Sequence, residues 1–189
     1  DIIRISFAYL FRIIIDGKYL LVKNARGTGK YQPVGGAFKF YEHERNYISE
    51  YFHVAGDNKI PIDKESKNDY RLYVPVKYLK KFVRRFSNAV ERECLDNLGR
   101  EFKEELIKTG ILDFSHLEYR YCGRHFTKIQ YSRVFNCYEL LLADIVELKP
   151  TQEQEDVMRK LMQTESNDYL FVSPEEIKSC GVKALTGNM

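Results

Sequence analysis

Apolar and polar positions alternate along this chain in two rhythms, one of strands and one of helices. Ile2 to Ile15 is apolar and β-branched with polar residues interspersed. It is followed by Asp16-Gly17 and a second apolar run, Lys18 to Lys23. A D-G pair between two such runs predicts a tight hairpin. Tyr31 to Lys39 reads as a short strand interrupted by Gly35-Gly36, a pair that admits close backbone approach and makes positive φ available. Asp69 to Pro75, Tyr119 to Phe126, Arg133 to Glu147 and Tyr169 to Val172 are further strands, rich in Tyr, Val, Phe and Leu.

Helical spacing takes over elsewhere. Leu79, Phe82, Val83 and Phe86 recur at i, i+3, i+4 and i+7, which predicts an amphipathic helix over Val76 to Phe86. Lys77, Lys80, Lys81, Arg84 and Arg85 crowd its other positions, facing a nucleotide, an anionic membrane surface or plain solvent. Asn88 with Glu91 predicts the cap of a following helix, and Gly110 its end. Thr151 with Gln154, and Ser173-Pro174 with Glu176, mark two more helix starts. Phe40 to Asn68 is polar and shows neither rhythm, apart from a turn at Gly56-Asp57-Asn58. Strands and helices mixed in this order, without internal repeats, predict an α+β domain.

Composition narrows the class. The 189 residues suffice for one domain with a proper core. A hydrophobic content of 44% beside 30% charged residues is that of a soluble globular protein. The net charge of +3 is too small to argue for a nucleic-acid polymer. Cys94, Cys122, Cys137 and Cys180 are scattered without a C-x-x-C pair, which suits a reduced, intracellular setting. His43, His53, His116 and His125 lack metal-ligand spacing. No apolar run reaches the roughly 18 residues of a transmembrane helix. The chain enters its first strand directly after Asp1 without an initiator Met, which suggests a piece excised from a longer protein.

The chemistry concentrates in Arg100-Glu101-Phe102-Lys103-Glu104-Glu105-Leu106. At about 100° per residue, Glu101 and Glu105 fall about 40° apart on a helix, and Glu104 about 60° to the other side. Cys94, Leu95, Leu98, Phe102 and Leu106 fall on the neighbouring, core-directed face. Three carboxylates sharing a face repel one another unless a cation sits among them, and hard oxygen ligands suit Mg²⁺ or Mn²⁺. The plainer alternative is a solvated acidic face balanced by Lys103 and Lys108.

A glycine pair followed by R-E-φ-x-E-E on a helix resembles the Nudix hydrolase box, G-x5-E-x7-R-E-U-x-E-E-x-G-U. Arg100, Glu101, Glu104 and Glu105 match it, and Phe102 takes the first aliphatic place. Arg92 stands where the upstream glutamate belongs, between Glu91 and Glu93. Ile107 stands for the box glycine, Lys108 for the final aliphatic and Phe86 for the opening glycine. A more extensive resemblance runs through K-Y-L-L-V-K-N and Y-Q-P-V-G-G-A-F-K within 18–39, D-Y-R-L-Y-V-P, R-E-F-K-E-E-L, C-Y-E-L-L-L-A-D-I and Y-L-F-V-S-P-E-E-I. That order of segments resembles the SMODS-associated Nudix group of bacterial anti-phage (CBASS) systems.

The resemblance implies a single Nudix-like domain over 1–189, an α/β/α sandwich around a mixed sheet with a long insertion at about 40–86. It also implies a cytoplasmic domain, in some members tethered to the inner membrane by an anchor outside these residues, with homo-oligomerisation left open. Two functions remain in view. One is a sensor that binds a cyclic di- or trinucleotide in the Nudix cleft, with Lys39 and Arg71 on phosphates, Gly35 and Gly36 admitting them, and Tyr31 stacking on a base. Packing or solvation is the alternative role of each of these side chains. The other is a Mg²⁺-dependent hydrolase of nucleoside diphosphates linked to another moiety. Glu101, Glu104 and Glu105 would then be metal ligands, and Arg100 would hold the glutamates in place.

Overall fold

This computed structural model describes residues 1–24, 29–57, 67–94, 99–112, 114 and 116–179, and of residues 100, 101, 103, 105, 178 and 179 the backbone alone. The strands are β1 (Ile2–Arg12), β2 (Ile14–Ile15), β3 (Lys18–Lys23), β4 (Tyr31–Gln32), β5 (Val34–Ala37) and β6 (Ala55–Gly56). They continue with β7 (Arg71–Pro75), β8 (Tyr119–Phe126), β9 (Gln130–Ser132), β10 (Cys137–Leu148) and β11 (Tyr169–Val172). The helices are α1 (Glu42–Phe52), α2 (Leu79–Asn88), α3 (Gly99–Phe102), α4 (Gln152–Met162) and α5 (Pro174–Ser179). The larger sheet takes the order β6-β7-β1-β10-β8, with β5 also on β1 and β9 also on β10. The smaller one takes the order β11-β3-β2, with β4 also on β3. The fold is α+β, as the mixed rhythm predicts.

Two compact units divide the chain. The first comprises Asp1–Tyr9, Gly36–Leu98 and Arg124–Ala143. Its β1 and β7 run antiparallel, from Ile2↔Pro75 to Ser6↔Arg71. Aromatic rings fill its core. Phe86 meets Phe7 and Tyr70 at 4.8 Å between ring centres and Phe38 at 5.4 Å. Phe52 on α1 reaches Phe82 on α2.

Charge is buried beside these rings. Arg4, Asp57 and Glu139 are all buried. Arg4 donates through Nε to Asp57 (2.9 Å) and through Nη1 to Glu139 (3.2 Å), while its guanidinium lies 3.6 Å from the Phe135 ring centre. Glu44 on α1 is fully buried and receives two forked bonds from Arg85 on α2, Nη2 to Oε2 at 2.7 Å and Nε to Oε1 at 3.0 Å. Arg85 also packs over the Tyr47 ring at 3.9 Å. Among the described residues, the Tyr70 hydroxyl is the buried side-chain polar atom without a hydrogen-bond partner. Burial, with Glu44 nearby, pushes its ionisation far above the ordinary tyrosine range. Because that hydroxyl gains nothing in the folded state, Tyr70→Phe should leave stability unchanged or raise it by up to about 1–2 kcal/mol. Urea denaturation would show this as an equal or higher midpoint. A clear drop would mean that the hydroxyl has a partner after all.

The second unit comprises Leu10–Gly35, Gly99–Gly123 and Asp144–Met189. Asp16 and Gly17 both take positive φ (50° and 76°), as a type I′ hairpin turn requires, and set Ile14 against Tyr19. β11 closes the other side of β3, from Tyr169↔Val22 to Val172↔Tyr19. Both capping boxes form. Gln154 N donates to Thr151 Oγ1 (3.2 Å) while Thr151 N donates to Gln154 Oε1 (3.0 Å). Glu176 N donates to Ser173 Oγ (3.2 Å) and Ser173 N to Glu176 Oε1 (3.4 Å). Gly110 takes φ +77° and its N–H donates to Ile107 O, closing the helix that precedes it.

Four expectations need correction. The polar stretch after Phe40 contains α1, whose buried stripe is Glu44, Ile48 and Phe52. Gly56 lies in β6 and Asp57 beyond it is held by Arg4, so the turn expected there is absent at those two residues; Asn58 lies outside the described residues. The strand expected over Arg133–Glu147 begins at Cys137, because Asn136 turns the chain at φ 53° between β9 and β10. Asn88 is the last residue of α2, its Nδ2 donating to Arg84 O, and it caps no new helix.

Candidate functional site

In the first unit, the residues after Asn88 run extended beside the strand end that carries Lys39. Tyr41 N donates to Glu91 O (2.9 Å) and Glu93 N to Lys39 O (2.7 Å). The Glu91-Arg92-Glu93 stretch therefore belongs to a ladder, and the acidic segment is described as helix from Gly99 onward. Cys94 is exposed and non-helical, which removes it from the core face expected of it, while Leu95 and Leu98 lie outside the described residues.

Arg92 is fixed by this ladder. Its Nε donates to Phe86 O (2.7 Å) and its Nη1 to Glu93 O (2.6 Å). The guanidinium stacks 4.0 Å from the Phe86 ring centre. An arginine with this combination of stacking and carbonyl contacts holds backbone in place, a role that a glutamate at the same position would not fill.

Lys39 and Arg71 are brought together as partners of one carboxylate. Lys39 Nζ stands 3.1 Å from Asp69 Oδ1 and Arg71 Nη1 3.5 Å from Asp69 Oδ2. Glu93, itself buried, accepts from the Lys39 backbone N–H at 3.2 Å. Two cations and two carboxylates thus form one half-buried cluster, so a phosphate arriving there would compete with Asp69 for its donors. Sequence reasoning did not single out Asp69 or Glu93. The extra signal was local: Asp69 precedes a strand whose next-but-one residue is Arg71, and Glu93 adjoins the misplaced Arg92.

The second unit holds the acidic segment. Gly99–Phe102 is α-helical and Lys103–Ile107 continues as a π-helical turn. Phe102 and Leu106 are fully buried, with Phe102 against Phe11 and Phe114. The core-facing expectation thus holds for these two residues. A π turn closes i→i+5 bonds, so this span departs from the regular α-helical step of about 100° per residue on which the shared face was calculated. Glu104 is half-buried. The side chains of Arg100, Glu101 and Glu105 lie outside the described residues. Among the described residues no three His, Cys, Asp or Glu side chains gather as a metal site, which leaves Glu101 and Glu105 untouched.

Tyr31 and Gly35 belong to this unit, and Gly36 to the first. Tyr31 is half-buried on β4 opposite Lys23, and its hydroxyl donates to Asn167 O at 2.7 Å. Gly35 and Gly36 lie in β5, and neither is among the glycines of positive φ, so the pair serves as ordinary strand.

The α+β architecture and the R-E-F-K-E-E-L helix define a Nudix-type domain. A family model described as the SMODS-associated NUDIX domain matches residues 2–188. The chain therefore belongs to the SMODS-associated Nudix domain family. No curated protein matches it. Among the described residues, no helix is long and apolar enough to cross a membrane.

Proposed function

We propose that this chain is a nucleotide-recognition domain of an anti-phage defence effector and binds a cyclic di- or trinucleotide signal. The observation that carries this reading is Arg92. Where the hydrolase box has an upstream glutamate, this chain has a guanidinium tied to Phe86 O and Glu93 O. Recognition needs phosphate donors and does not need that acid. Lys39 and Arg71, poised on Asp69, supply such donors.

Titration calorimetry with a panel of cyclic di- and trinucleotides tests it. Binding by at least one is expected, weakened roughly ten- to a hundredfold by Lys39→Ala or Arg71→Ala, the loss of a charged hydrogen bond. Asp69→Asn should tighten it by removing the competing carboxylate. A panel without binding removes the reading.

A second reading has its own support: Arg100, Glu101, Glu104 and Glu105 stand in box order, and the π turn at Lys103–Ile107 is a geometry frequent at functional sites. In a Mg²⁺- or Mn²⁺-dependent hydrolase of nucleoside diphosphate derivatives, Glu101, Glu104 and Glu105 would hold the ion and Arg100 would position the glutamates. The ion, when bound, would offset phosphate charge and acidify a water. Phosphate release that disappears in Glu104→Gln would favour this reading, and no turnover across nucleoside diphosphate derivatives would end it.

A further inference from the structure

The surface of α2 is built for something its own unit does not supply. Over Val76 to Asn88 the sequence contains five cations and no acid. Phe82 and Phe86 turn inward and are buried, while Lys77, Lys80, Lys81 and Arg84 are exposed. Lys80, Lys81 and Arg84 fall within an arc of about 100° on the opposite side of the helix. Lys77 lies in the 3₁₀ turn just before it.

Arg85 shows the contrast. It is the one helix cation drawn inward, where Glu44 neutralises it. Among the described residues, Lys80, Lys81 and Arg84 have no carboxylate within ion-pair distance, and Lys77 meets only the Tyr78 ring. Arg124 adds a further cation at the last turn, its Nη1 donating to Ser87 Oγ at 3.0 Å. Uncompensated like charges on neighbouring turns disfavour the isolated helix, and an anionic partner removes that cost.

We propose that this face of α2 is a contact site for an anionic phospholipid surface. Charge complementarity selects an anionic partner, and the side-chain types select among anions. Three of the four exposed cations are lysines, compact point charges without the planar fork that reads phosphodiester or base edges. Val76 and Val90, which bracket the helix in sequence, are exposed apolar residues, Val90 at 86%. Apolar side chains next to lysines match a headgroup layer over hydrocarbon better than they match a nucleic-acid backbone. The contact is electrostatic adsorption, since the helix keeps its own apolar face in the core. It goes beyond nucleotide recognition and does not depend on it.

Flotation of the full chain with phosphatidylcholine vesicles, with and without about one-third phosphatidylserine, tests the proposal in the absence of any nucleotide. Binding to the anionic vesicles alone is expected, with progressive loss between about 0.05 and 0.5 M salt. Each cation is worth about five-fold in association, so Lys80→Glu/Lys81→Glu/Arg84→Glu should lose well over ten-fold. The exposed charge control Lys18→Glu/Lys149→Glu/Lys160→Glu should keep most of its binding. Circular dichroism reports whether the triple variant folds; if it does not, Lys80→Gln/Lys81→Gln gives the same test with a smaller loss. Absence of binding, equal binding to neutral vesicles, or equal loss in the control overturns the proposal. So does binding to a single-stranded oligonucleotide, through the same residues, by a protein that ignores vesicles.

Discussion

Replacing Phe86 with alanine is expected to destabilise the protein by about 3–5 kcal/mol, the range for deleting a buried aromatic ring. Phe86 is 1% exposed and edge-packed on Phe7, Phe38 and Tyr70. It also carries the guanidiniums of Arg92 and Arg124, at 4.0 and 5.2 Å from its centre. Loss of the ring therefore opens a cavity and strips two cations of their stacking surface at once. Urea denaturation should show a lower midpoint at nearly unchanged slope. Phe86→Leu, which conserves most of the volume, should cost less than about 1.5 kcal/mol. Equal midpoints for the wild type and the alanine variant would contradict the packing described.

Arg85→Ala should be comparably damaging, by about 3–5 kcal/mol at neutral pH, because it abandons a fully buried carboxylate. The Arg85 side chain is one-third exposed whereas that of Glu44 is not exposed at all, so the two partners are unequal. Removing Glu44 returns Arg85 to water; removing Arg85 leaves the Glu44 carboxyl in the core without its forked donor. Glu44→Gln should accordingly cost less than Arg85→Ala. Urea midpoints of the two variants at neutral pH would show this order, and a lower midpoint for Glu44→Gln would contradict it.

These residues also explain what could be read in the chain. The hairpin at Asp16-Gly17 and the boxes at Thr151 and Ser173 were legible because their signal is local: a few adjacent residues close their own hydrogen bonds. Helix α1 was not legible, because its buried stripe includes Glu44, a residue that counts as polar until its partner 41 positions away is known. Phe86 stood at the place of a motif glycine and also on the apolar stripe of its helix, and the stripe was the correct guide: it is a centre of core packing. Arg92 looked like a lost acid and is a backbone clamp. The box glutamates were legible as a family mark. The π turn at Lys103–Ile107 was not, because it has no sequence signal of its own. Lys39 and Arg71 were legible as cations, whereas their sharing of Asp69 required the strand register.

The Arg4 cluster has a consequence in time. Its partners lie 53 and 135 positions along the chain, and the first unit draws on three separate segments that end at Ala143. During synthesis Arg4 emerges 135 positions ahead of Glu139 and must wait for it, exposed strand and charge meanwhile facing solvent. Loops this long close late and make folding slow. A nascent chain stalled before residue 139 should be captured by chaperones or proteases, and its release past that point should mark the moment the first unit becomes resistant.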